Sequence, residues 1–336
     1  MVVVVRVLSD KHTYDQLELP SGRMARVKKG DIVAGALGHR HALFGYSGHI
    51  PERLAPGDRI QLLNLGGVLG ICDAISPDLG APFECEVIGT ALEFPYLGER
   101  IGIPARVGHL KLEPQQSLEL KGVPVVGVVG TCMNAGKTAA ACALIRALAH
   151  EGLVVDAFKA TGVSLRRDIL AMEDAGARHT ALFTDLGVVT SSAKNSAAIT
   201  RTLLNRQASG KPDVIVVELG DGLLGAYGVD AILEDLGLRE AFTALVLAAN
   251  DPVAAWGGVK LLQERYGLTP VAVTGPATDN VAGSRIIEEL LGVAALNART
   301  RPTALAALVR RHLEERTLSL STPGSHDEQP TSEAQA

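Results

Sequence analysis

The feature that most constrains this chain is Gly130-Thr131-Cys132-Met133-Asn134-Ala135-Gly136-Lys137-Thr138, set between an apolar run at residues 123–129 and an alanine-rich stretch of helical character. Strand, glycine-bounded loop and helix in that order form a phosphate cradle. Consecutive backbone N–H groups and the positive end of the helix surround a phosphate, a lysine reaches the outer phosphates, and a hydroxyl ligates magnesium. Lys137 and Thr138 fill the last two roles, while Gly130, Thr131, Asn134, Ala135, Gly136 and Ala139 line the cradle. The spacing departs from the common pattern: five residues instead of four separate Gly130 from the Gly-Lys-Thr triplet, and Ala135 stands where a second glycine would be. A Gly-Lys-Thr triplet at a helix start has no packing purpose, so the loop points to a nucleotide-binding protein.

The rest of the chain divides by pattern. Before residue 120, short apolar stretches alternate with turn signals such as Lys29-Gly30-Asp31 and Ala55-Pro56-Gly57-Asp58, which reads as a small β-rich, barrel-like domain over 1–118. Over 119–316, apolar strands near 123–129, 153–159, 213–218, 243–249 and 270–274 alternate with helical patterns, so the expected fold is α/β with a mostly parallel sheet. Residues 317–336 are rich in Ser, Pro, Thr, Glu and Gln, and the expectation there is a disordered tail.

Composition narrows the function classes. With 336 residues, 47% hydrophobic and 21% charged, the chain has material for two cores. A net charge of −5 argues against a general nucleic-acid binder. No run approaches the roughly 18 apolar residues of a membrane span, and Cys72, Cys85, Cys132 and Cys142 lack metal-ligand spacing. The expectation is a soluble cytoplasmic protein with reduced thiols, acting on small molecules, with no nucleic-acid or membrane partner.

Three segments of the second domain carry candidate chemistry where a parallel sheet places its ligands, beyond the carboxyl ends of strands. Lys159, Thr161, Gly162 and Ser164 follow the second strand; a lysine and two hydroxyls there suit a transferring phosphoryl group, or simply a solvated loop. Asp168 opens an amphipathic helix, where an acid is also favoured by the helix dipole. Glu218 ends an apolar run and is followed by Gly220-Asp221-Gly222, an acidic magnesium ligand beside a backbone that a substrate can approach. Thr161, Ser164, Gly220, Asp221 and Gly222 are therefore the candidate substrate contacts.

The lengthened loop resembles that of the dethiobiotin synthetase family, in the group of P-loop proteins that also contains MinD-like ATPases (SIMIBI). Over residues 123–290, Lys159, Asp168 and Glu218 are similar in order and setting to that family's substrate lysine and two magnesium-binding acids. Ala249-Asn250-Asp251 and Gly257-Gly258-Val259-Lys260 fall where its next strand and helix lie. DUF1611 proteins, some thought to be amino-acid N-acetyltransferases, resemble the chain in the loop and in an added N-terminal domain. The departures are Cys132 and Met133, where the synthetase loop is polar, and they imply a different acceptor from its diamine. The Lys-Gly-Gly signature of MinD-type switches is absent, since Asn134 and Ala135 precede Gly136, as is a guanine-specific Asn-Lys-x-Asp motif near Thr274–Asn280, so ATP is the expected nucleotide.

The resemblance implies an ATP- and Mg2+-dependent ligase or kinase that activates a carboxylate or carbamate-type acceptor by phosphoryl transfer. Lys137, Lys159 and Glu218 would be catalytic; Thr138, Asp168 and Glu218 would hold the metal; and the protein would be a homodimer. The alternatives are an N-acyltransferase using acetyl-CoA and a nucleotide-dependent switch. In the first domain, His39, His41 and His49 form a polar cluster, read as a surface or interdomain feature in preference to a metal site. If the barrel covers the phosphate loop, that cluster is expected to select the acceptor.

Overall fold

The computed structural model describes residues 1–113 and 117–321. The first part is built from β1 (Val2–Val7), β2 (Gln16–Glu18), β3 (Met24–Arg26), β4 (Ile32–Leu37), β5 (Arg40–His41), β6 (Tyr46–His49), β7 (Arg59–Leu62), β8 (Val68–Ile75), β9 (Phe83–Thr90), β10 (Leu92–Glu93) and β11 (Ile103–Pro104). Strict alternation in β1 turns Val3, Val5 and Val7 inward, where they meet Ile60, Leu69, Phe83 and Val87. The sheet runs β4-β1-β9-β7-β8-β6-β5, and β4 pairs again with β8, closing a small barrel from which β6 and β5 extend.

The second part comprises β12 (Val125–Gly130), α1 (Lys137–His150), β13 (Val155–Thr161), α2 (Arg167–Asp174), β14 (His179–Leu182), α3 (Ser196–Ser209), β15 (Val214–Leu219), α4 (Val229–Glu234), α5 (Leu236–Ala241), β16 (Phe242–Ala248), α6 (Pro252–Tyr266), β17 (Ala272–Thr274), α7 (Val281–Leu291), β18 (Ala294–Ala295) and α8 (Pro302–Ser321). Its seven strands are ordered β14-β13-β15-β12-β16-β17-β18 with parallel pairings throughout. Every residue of β12 and β15 is buried, as a strand covered on both faces requires. Val125 and Val129 face one core with Ile199, Leu203 and Val259; Val126 and Val128 face the other with Leu144, Leu148 and Val309. The result is an α/β P-loop domain preceded by a smaller β-rich domain.

Two features differ from the sequence expectation. The edge strands β14 and β18 go beyond the five expected strands, and α8 continues to Ser321, five residues into the segment expected to be a tail. The remainder of that segment, 322–336, lies outside the described residues.

The two parts are stitched together by specific bonds. Glu18 on β2 accepts from the N–H groups of Arg166 and Arg167, both at 2.6 Å, and so caps the start of α2 from the other domain. Asn64 donates to the Ser164 carbonyl at 2.8 Å, the Thr190 hydroxyl donates to the His39 carbonyl at 2.5 Å, and the His41 N–H donates to the Tyr227 hydroxyl at 3.2 Å. Before β12 the connecting chain already lies on the second domain, with the N–H groups of His109 and Leu110 donating to Asp185 O at 2.9 Å.

Candidate active site between the two domains

The carboxyl ends of β12, β13 and β15 open onto a cavity of about 560 Å³, a size typical of small-molecule sites. Asn134, Gly136, Lys137, Thr138, Ala139, Lys159, Asp168, Glu218, Gly220 and Asp221 line it, as does Met133, one of the departures from the synthetase loop. The barrel closes the other side with Tyr14, Arg40, Phe44 and Asn64, among others. Residues from distant parts of the sequence are thus brought together at the crevice expected of an open parallel sheet.

The loop has the backbone of a cradle. Asn134 and Gly136 lie in the left-handed region at φ 61° and 94°, and α1 starts at Lys137. The Lys137 ammonium is nearly enclosed; it donates to the Cys132 carbonyl at 2.8 Å and to the Asp221 carbonyl. Burial pulls its pKa below the ordinary lysine value, although Glu218 and Asp221 oppose the shift. A cation held only by carbonyls in a cavity is suited to donate to phosphate oxygens.

Lys159, from β13, sits between two carboxylates. It donates to Asp168 on α2, and its Nζ lies 3.4 Å from Glu218 Oε1 at the end of β15. Burial alone would lower its pKa, but Glu218 and Asp168 outweigh that and hold it above the ordinary value. Glu218 Oε2 is buried with no hydrogen-bond partner. An orphaned carboxylate oxygen in the cavity that Thr138 and Asp168 also line gives a hard-oxygen donor set that fits a magnesium ion. Asp221 has its pKa raised by burial, an effect that Lys137, Lys159 and Arg40 partly offset.

Several expected site residues lie elsewhere. Gly130, Thr131 and Ala135 belong to the loop but do not line the cavity. Thr161 donates to the Gly220 carbonyl and braces the turn after β15; Ser164 offers its carbonyl to Asn64 across the domain boundary. Gly222 abuts the phosphate loop: an added Cβ would lie 2.8 Å from Cys132 Cα and from Thr131 O. The close approach at this glycine is thus to protein backbone. Asn250 and Asp251 are also structural: the first donates to Cys132 Sγ at 3.0 Å and the second caps α6.

The histidine cluster does not reach the cavity. His39 and His41 stack on each other with ring centroids 6.3 Å apart, and His49 Nδ1 lies 2.9 Å from Asp73 on an exposed face. Alternation along the chain leaves His39 and His41 exposed and buries Arg40 between them, so the residue that lines the cavity is the arginine. Tyr14, Asn64, Arg167 and Tyr227 also line it without having been singled out in the sequence; only the period-2 pattern around Arg40 carried any signal.

Among the described residues no group of three or more His, Cys, Asp or Glu side chains could hold a metal by itself, all four cysteines are free, and no helix is long and apolar enough to cross a membrane.

No known family model matches the chain. An ATP-dependent dethiobiotin synthetase BioD from Caulobacter sp. (strain K31) is 29% identical over 178 residues, covering 50% of this chain and 77% of that protein. Among solved structures, the signal recognition particle receptor FtsY from Elizabethkingia anophelis is similar at a TM-score of 0.41 and 15% identity. The match covers 56% of this chain and 65% of FtsY, just under two thirds of its length. The same receptor in complex with GDP gives 0.41 and 15%, with coverages of 59% and 66%. The loop, the sheet and the likeness to the synthetase together make this a nucleotide-dependent P-loop protein.

Proposed function

We propose that the chain is an ATP- and Mg2+-dependent enzyme that activates a small-molecule carboxylate or carbamate-type oxyanion by phosphoryl transfer. One observation carries this reading: Lys137, Thr138, Lys159, Asp168 and Glu218 all line one cavity with a second domain over it. A simple phosphate-binding loop needs only the first two; a second lysine clamped by two acids is equipment for a transferring group. The similarity to an ATP-dependent synthetase over 77% of its length supports the same class.

In this reading an acceptor oxygen attacks the γ-phosphorus, the bond to the β–γ bridging oxygen breaks, and ADP leaves. Lys137 gives up its two carbonyl partners to hold the β and γ phosphates. Lys159 neutralises charge on the equatorial oxygens or steadies the acceptor. Thr138, Asp168 and Glu218 hold magnesium, which supplies charge neutralisation when bound. The barrel shields the phosphorylated acceptor from water, so that it meets the second nucleophile before hydrolysis. A carboxylate activated in this way reacts with hydroxylamine. ADP formed in equal amounts with hydroxamate, from Mg-ATP and a metabolite pool, is the expected result; ADP release indifferent to the pool would count against the reading.

A further inference from the structure

We infer that Arg40, carried by the N-terminal barrel, anchors a carboxylate of the acceptor and thereby makes the barrel the specificity element of the site. The inference rests on the acceptor reading above. Arg40 is 4% exposed, yet it lines the cavity. Its Nη1 donates to the Leu63 carbonyl, its guanidinium carbon lies 5.6 Å from the centre of the Tyr14 ring, and its Nε is buried with no hydrogen-bond partner. Among the described residues no carboxylate oxygen lies within 4.0 Å of it, whereas Lys159 has two acids.

A guanidinium withdrawn from water with no carboxylate in ion-pair contact is costly, since Asp221 acts on it only at longer range, and an anionic ligand in direct contact relieves that cost. Nucleotide phosphates are met by the loop and Lys137, so the anion at Arg40 belongs to the other substrate. A carboxylate matches the planar fork better than a point charge does. The position is also built to hold still. Arg40 lies on β5, whose next residue, His41, donates its N–H to Tyr227 in the turn after β15 at 3.2 Å, tying the arginine to the strand that carries Glu218. Asp221 Oδ2, also buried without a partner and lining the same cavity, suits a hydroxyl or ammonium donor on the same molecule.

The test measures binding, independently of turnover. Wild type, Arg40→Met and Arg40→Lys, all loaded with Mg-ADP, are titrated with short aliphatic mono- and dicarboxylates and with the uncharged amide of each, using ligand-observed NMR. A fluorescent ADP analogue reports the nucleotide site of each variant. The expected result is that at least one carboxylate binds wild type in preference to its amide. Arg40→Met then weakens it by roughly 10- to 100-fold, the scale of a lost charge-assisted hydrogen bond. Arg40→Lys should weaken it less, and the ADP analogue should bind all three proteins alike.

The inference is overturned if no carboxylate binds wild type better than its amide, or if Arg40→Met binds as well as wild type. It is also overturned if both variants lose the ADP analogue, which would assign Arg40 to the fold or to the nucleotide. Arg40-dependent carboxylate binding by a protein that never forms ADP from ATP would remove the phosphoryl-transfer reading alone. ADP formation with Arg40-independent binding would remove this inference alone.

Discussion

Lys159 Nζ lies 3.4 Å from Glu218 Oε1 and also donates to Asp168, so a single ammonium stands where two acids converge with Thr138 on one cavity. In the nucleotide-free protein the lysine neutralises carboxylates that would otherwise repel each other in a nearly closed space. Lys159→Met should therefore lower the unfolding free energy by ~3–5 kcal/mol, the usual cost of stranding buried charge. Added Mg2+ should restore more stability to the variant than to wild type, because a cation then has the acids to itself. Denaturant titrations with and without Mg2+ measure both effects; equal stabilities, or no preferential rescue, would contradict this role.

Gly222 lets the turn after β15 pass within contact distance of the phosphate loop, 2.8 Å from an added Cβ to Cys132 Cα and Thr131 O. Gly222→Ala should force the two backbones apart at a cost of about 1–3 kcal/mol. The melting temperature should drop and the nucleotide Kd should rise together. A normal Kd in a destabilised variant would mean that the turn supports the fold without shaping the loop.

The pH dependence of stability should carry a signature of Asp221. Burial raises its folded pKa above the unfolded value, so the folded state binds the proton more tightly and the ionised carboxylate opposes folding. That penalty is absent below the unfolded pKa, grows as pH rises from the unfolded to the folded pKa, and is complete above the folded pKa. Asp221→Asn should therefore stabilise the nucleotide-free protein at neutral pH, and the gain should shrink as the medium is acidified. A gain that grows toward acid pH would reverse the assignment.

His39→Ala, His41→Ala and His49→Ala combined should leave acceptor-stimulated turnover within about twofold of wild type, as surface changes away from a site do. A loss of acceptor affinity with normal nucleotide affinity would return selection to the histidines.

Much of the α/β domain was legible because its central strands are covered on both faces and read as unbroken apolar runs. The edge strands were not legible: β14 is His-Thr-Ala-Leu and β18 only Ala-Ala, too short for any period to show. In the site, the loop, Lys159, Asp168 and Glu218 announced themselves by residue type at strand and helix ends. The contribution of the first domain did not, because it depends on docking. Nothing local marks Glu18 as the cap of α2, a bond spanning 148 residues of sequence. His39-Arg40-His41 drew notice for its histidines, but strand alternation turns those outward and the arginine inward. A one-residue register difference decides which chemistry faces the cavity.

The most direct measurement compares ADP formed from Mg-ATP with free thiol formed from acetyl-CoA, in wild type and Lys137→Ala, with and without a pooled metabolite extract and bicarbonate. The account predicts ADP release that the pool stimulates and that Lys137→Ala reduces by roughly 100- to 1,000-fold, the scale of removing one transition-state charge contact, with no thiol released. Thiol release without ADP, or ADP release that survives in Lys137→Ala, would contradict it.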